Sequence, residues 1–130
     1  MTHFGALAWC KQQRRVVFEF RNGVPGYDVR YADGPVLSDG AGEVVPVAGA
    51  AVLTVRMTPA SGVDLSGPAY GQTYTGPKRF NPGTPEVTDV VQTGDFEAVL
   101  SWAVGVRDRV DFRVFTLNDP ARVVVDVRNH

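Results

Sequence analysis

Apolar residues recur at every second position over several stretches of the chain, the mark of strands with one buried face. In Arg15-Val16-Val17-Phe18-Glu19-Phe20, the residues Val16, Phe18 and Phe20 fall on one side, and Arg15 and Glu19 on the other. Tyr27, Val29 and Tyr31 alternate in the same way with Asp28 and Arg30. Asn22-Gly23 and Pro25-Gly26 stand between these two runs, and both pairs form turns readily, so the pattern predicts a hairpin. A glycine-rich connection through Gly34, Gly40 and Gly42 leads to a strand over 50–57, where Leu53, Val55 and Met57 alternate with Thr54 and Arg56. Phe96, Ala98, Leu100, Trp102 and Val104 then oppose Glu97, Val99, Ser101 and Ala103. Val110, Phe112 and Val114 oppose Asp111, Arg113 and Phe115. After an Asn118-Asp119-Pro120 turn, Val123, Val125 and Val127 oppose Arg122, Val124, Asp126 and Arg128.

No stretch of helical length carries a convincing apolar stripe at the helical period. Short strands separated by turns predict an all-β domain, a β-sandwich of two mainly antiparallel sheets occupying 1–130 as one unit. Val16, Phe18, Phe20, Leu53, Leu100, Trp102, Phe112 and Val125 are expected to point inward between the sheets. From about residue 58 to 85 the alternation dissolves into Gly, Pro, Ser and Asn, leaving a long irregular loop centred on 66–85. Loops of that length in compact domains usually carry function or lack order. The rings of Tyr70, Tyr74 and Phe80 point to a partly ordered excursion.

Composition narrows the function classes. A net charge of −1 provides no basic field for nucleic acid or for an anionic membrane surface. No apolar run reaches the roughly 20 residues of a membrane helix. The single cysteine, Cys10, has no partner for an internal disulfide; bulky Trp9 stands where a lipoprotein signal wants a small residue, and no basic segment with an apolar run precedes it. Any signal peptide is expected upstream of this chain. Isoleucine is absent and Arg far outnumbers Lys, a bias expected from a GC-rich, actinobacterial genome.

Catalysis finds little to build on. His3 and His130 sit at the chain ends, where fraying is the default, and Cys10 reads best as a small buried residue at a strand end. No His or Cys cluster has ligand spacing, so neither metal nor cofactor is expected. Asp33, Asp39 and Glu43 along the glycine-rich connection match no calcium loop and read as solvated turn residues. Asp95 and Glu97 share a strand face and so fall within glycosidase range, yet any strand with two alternating acids does the same, and a small sandwich seldom has a deep cleft.

Two stretches carry a resemblance. The run from Phe112 to Val127, with Leu117-Asn118-Asp119-Pro120, Arg122 and then an apolar run to Asp126, resembles the closing strands of AMIN domains. Arg15 to Phe20, Pro25-Gly26-Tyr27, Tyr31, Tyr74-Thr75-Gly76-Pro77 and Gly94-Asp95-Phe96-Glu97 are similar to the actinobacterial AMIN-like variant. The resemblance covers most of the chain from Arg14 onward. It implies a β-sandwich of exported envelope proteins, extracytoplasmic, non-catalytic and directed to peptidoglycan. The variant often has a histidine and an aspartate before its first long strand, where Cys10 and Arg14 stand here.

Binding residues follow from that implication. Arginine suits forked binding of a carboxylate, and wall stem peptides offer carboxylates in number. Arg122 with Asp126 is one candidate, with a purely structural role as its alternative. The rings of Tyr70, Tyr74 and Phe80 suit stacking on sugar faces, with Lys78 and Arg79 nearby for anionic groups, while the same rings equally suit pinning the loop to the sandwich. The partner is expected to be peptidoglycan or, alternatively, an envelope protein docking on an exposed strand edge. Because no ligand cluster supports a structural ion, the melting temperature should be unchanged by a chelator; a drop of many degrees would reveal a bound metal.

Overall fold

The computed structural model describes residues 2–10, 14–21, 23–38, 42–61, 63–64, 71–72, 74, 76–82, 84–96 and 98–128. The strands are β1 (Thr2–Cys10), β2 (Arg15–Arg21), β3 (Gly26–Tyr31), β4 (Ala51–Thr58), β5 (Ala60–Ser61), β6 (Val63–Asp64), β7 (Gly71–Gln72), β8 (Arg79–Phe80), β9 (Val87–Phe96), β10 (Val99–Val106), β11 (Phe112–Leu117) and β12 (Ala121–Val127). They form two five-stranded sheets, ordered β11-β12-β2-β1-β5 and β3-β4-β10-β9-β8, with β6 and β7 as a small separate ribbon. Every long pairing is antiparallel, and the two-residue β1–β5 contact is parallel. The described residues include no helix. The chain is therefore the all-β, two-sheet sandwich that the alternation predicts, and short strands β5 to β8 punctuate the long loop.

Three expectations are corrected. First, β2 and β3 do not form a hairpin: β2 pairs with β1 and β12, whereas β3 pairs with β4 in the other sheet. The link between them passes from sheet to sheet because Pro25 is buried and Val24 packs on the core, which draws the connection inward. Second, the alternation over 96–104 is two strands rather than one. It runs through a tight reversal in which Ala98 takes φ 64°, and the preceding strand, β9, reaches back to Val87. Register shifts between Ser101 and Trp102 and between Gly105 and Val106 break the period on β9, so its buried Val87, Val90 and Val91 do not alternate. Third, His3 is not frayed. It lies in β1 opposite Arg21 and is 6% exposed.

Seven of the eight predicted core side chains are buried; Phe112 is half-buried and rests edge-on against Tyr31, with centroids 5.6 Å apart. The centre of the core is aromatic. Phe4, contributed by β1, stands 5.8 Å from Phe18, 5.5 Å from Phe20, 4.4 Å from Tyr74 and 5.7 Å from Trp102. A register shift between Phe4 and Ala6 turns the strand, so that Phe4 and Leu7, three apart, both reach the core.

The second sheet is covered on its outer side as well. Residues 46–50 cross it: Arg79 binds the buried carboxylate of Asp89, Ala48 N–H donates to that carboxylate at 3.2 Å, and Arg79 Nη2 donates to the Pro46 carbonyl at 2.7 Å. Ala50 N–H donates to the Val106 carbonyl at 2.9 Å. A Cβ on Gly105 would collide with the Ala48 carbonyl, so glycine is what lets the segment lie flat. From Leu100 to Val106 β10 is therefore buried on both faces.

Phe4→Ala should destabilise the domain by about 3–5 kcal/mol, the usual cost of emptying a buried aromatic site. Val44→Ala, at a side chain 64% exposed, should stay within about 0.5 kcal/mol. Denaturant unfolding of both variants checks the contrast.

Candidate functional site

The two sheets approach each other unevenly at the edge where β1 faces the 74–80 segment. Gly5, Ala6 and Leu7 form one wall there, and Tyr74, Gly76, Pro77 and Phe80 the other, around a cleft of about 320 Å³. Tyr74 fixes the second wall. Its ring is 4% exposed, lies against Phe4 and meets Trp102 edge-on at 5.9 Å. Its hydroxyl donates to the Pro77 carbonyl at 2.5 Å, which folds residues 74–77 back over the phenol. A Cβ on Gly76 would lie 2.7 Å from the Tyr74 oxygen, so this turn requires glycine. Burial raises the Tyr74 hydroxyl above the ordinary tyrosine range. Phe80 pairs with Val90 from β8 and is half-buried against the core. The described residues that wall the cleft carry no charged side chain and, beyond the phenol, no proton donor or nucleophile, a lining able to receive an apolar or sugar face.

The predicted site residues separate into distinct places. Tyr74 and Phe80 share the cleft. Tyr74 is a core ring that anchors the loop, and it has no open face for stacking. Tyr70 lies outside the described residues. Lys78 is exposed beside the cleft, while Arg79 is engaged with Asp89 and Pro46. Arg122 and Asp126 belong to the opposite sheet. Arg122 Nε and Nη2 donate to the carbonyls of Pro120 and Asn118, at 3.0 and 3.4 Å, bracing the turn before β12. Asp126 lies between Arg113 at 3.2 Å and Arg15 at 3.5 Å, and both guanidinium groups cover the Phe115 ring, at 5.1 and 5.2 Å. On β3, Arg30 donates to both Asp28 carboxylate oxygens at 3.0 and 2.5 Å, which holds Asp28 below the usual carboxylate range.

Gly5, Ala6 and Leu7 were not foreseen. Their only sequence signal is the short apolar run after His3, whose alternation the register shift in β1 disrupts. Of the candidates for catalysis, Asp33 and Glu43 are exposed, while Asp39, Glu97 and His130 lie outside the described residues, as do the side chains of Trp9 and Cys10 at the end of β1. Among the described residues no three His, Cys, Asp or Glu gather to hold a metal, and no helix is long and apolar enough to cross a membrane.

Fold and cleft together define a two-sheet β-sandwich domain with an aromatic-walled recess at one edge. The AMIN-like domain family matches residues 12–129, and the chain belongs to that family. No curated protein and no solved structure matched it. The match begins after β1, the strand that supplies Phe4 and one wall of the cleft.

Tyr74→Ala should lower stability by about 3–5 kcal/mol, a drop of roughly 10–20 °C in Tm, whereas Tyr74→Phe should cost about 1 kcal/mol by removing one hydrogen bond. Because the folded hydroxyl resists ionisation, stability should fall as pH rises above about 10, where the unfolded phenol ionises first. Tyr74→Phe should lose that part of the alkaline decline, measurable in unfolding curves taken across this range.

Proposed function

We propose that this chain is a non-catalytic cell-envelope module that binds or targets peptidoglycan outside the cytoplasm. Membership of the AMIN-like family over residues 12–129 carries this reading. The cleft is the contact surface in this reading: the half-buried Phe80 ring lines it, uncharged side chains and glycines leave room for a sugar face, and exposed Lys78 stands nearby for an anionic group. Tyr70, outside the described residues, remains a proposed partner ring. Arg122 and Asp126 serve in this reading through the frame, by fixing the β11–β12 turn and the charged row beside it.

A second reading is favoured by the sheet edges. β3 and β11 are terminal strands of their sheets, and β1 meets β5 only at Thr2 and His3 among the described residues. Such edges can accept an added strand from a partner envelope protein.

Sedimentation with purified sacculi separates the two readings. The parent should pellet with sacculi, and Phe80→Ala should weaken pelleting several-fold at temperatures where both proteins are folded. Mass spectrometry of the sacculi should detect no released fragments. A parent that stays in the supernatant while an envelope protein captures it would replace the wall reading with the docking one.

A further inference from the structure

The opposite edge of the sandwich, where β3 and β11 stack, holds a second recess of about 400 Å³ lined by Tyr31, Arg109, Val110, Asp111 and Phe112. It is rigidly built. The Tyr31 hydroxyl donates to the Val110 carbonyl at 2.6 Å and accepts the Val110 N–H at 3.0 Å, which staples the β10–β11 crossover to the end of β3. Phe112 meets Tyr31 nearly perpendicularly at 81°. The Arg109 guanidinium lies over the Tyr31 ring, its carbon 4.6 Å from the centroid.

This arginine is used differently from most others in the chain. Arg14, Arg15, Arg30, Arg79, Arg107 and Arg113 each hold a carboxylate. Among the described residues Arg109 is held only through its flat face, and Asp111, two residues on, likewise has no ion pair or side-chain hydrogen bond. Stacking occupies the face of a guanidinium and leaves its N–H edge open, oriented in advance for a carboxylate. The recess therefore carries one unpaired charge of each sign. A ligand with only negative charge meets repulsion from Asp111, and one with only positive charge meets it from Arg109. A ligand bearing both charges on adjacent atoms meets neither, and the volume accommodates such a group with a small substituent.

We propose that this recess binds an α-amino-acid headgroup, its carboxylate forked on Arg109 and its ammonium on Asp111. The proposal stands apart from the peptidoglycan reading, because free amino acids and the free amino-acid ends of wall stem peptides present the same headgroup. It is tested with soluble ligands, so its failure is distinguishable from a failure to pellet with sacculi.

The experiment is an amide NMR titration of the full chain with alanine, N-acetylalanine, alaninamide and a soluble stem peptide ending in a free α-amino-acid group. Alanine should shift the Val110, Asp111 and Phe112 amides saturably, and each blocked derivative should bind at least about tenfold more weakly, the loss of one charged contact. Arg109→Gln and Asp111→Asn, both at exposed side chains, should keep the folded spectrum and each weaken alanine by a similar factor. Asp111→Asn should at the same time bind N-acetylalanine more tightly than the parent does, since the repulsion is gone. Tighter binding of the stem peptide than of alanine assigns the site to wall ends; equal binding assigns it to free amino acids, and either result supports the recess as the site. Absence of saturable shifts with both ligands, or blocked derivatives that bind as well as alanine, overturns the proposal.

Discussion

The sandwich depends on one ring. Phe4 is the side chain around which Phe18 and Phe20 from its own sheet, Trp102 from the facing sheet and Tyr74 from the long loop all pack. Through it the spacing of the sheets, the seating of the loop and the width of the cleft become one packing problem. Tyr74 reaches the cluster only because Gly76 lets the chain fold over its hydroxyl, and the cleft is what remains between that fold and the glycine-bearing wall of β1. Aromatic rings suit this role, since each buries a large apolar area and tilted or edge-on contacts add to the transfer term.

Outside the core, arginine works mainly as a brace. Arg122 closes a turn onto its carbonyls, Arg79 ties a crossing segment to the sheet through Asp89, and Arg15 and Arg113 share one carboxylate across three strands while covering Phe115. The planar fork makes this possible, because one side chain can bind in its plane and stack on its face at once. Pairs this exposed contribute little stability individually, but they fix where loops lie. Asp89 differs from them in being buried, and its engagement explains why residues 46–50 cover the second sheet instead of standing away from it.

The strands legible in the sequence are those whose period stays intact between clear turns. β2 and β4 followed their alternation, while in β12 Val124 is buried together with Val123 and Val125 of the other face; the Asn118-Asp119-Pro120 turn marked the hairpin between β11 and β12. Where the register shifts, the pattern was lost: in β1 the shift placed Phe4 and Leu7 on one face, and beside β10 it placed Val90 and Val91 in adjacent buried positions. Turn residues between β2 and β3 indicated a reversal without specifying its partner, and only the inward packing of Val24 and Pro25 decides that the chain changes sheet. For the site, residue types were readable but their employment was not. Alternation cannot reveal that Arg122 finds carbonyls within its own turn, or that Asp111 and Arg109 have no ion-pair partner among the described residues.

The position of β12 has a kinetic consequence. This last strand lies inside the first sheet, between β11 and β2, and β2 in turn supports β1. β2 cannot settle between its two neighbours until residues 121–127 are present, so local hairpins form early and this sheet closes late. The first sheet therefore gains its cooperative stability only when β12 joins it. Until then β2 and β1 lack the strand that joins them to β11.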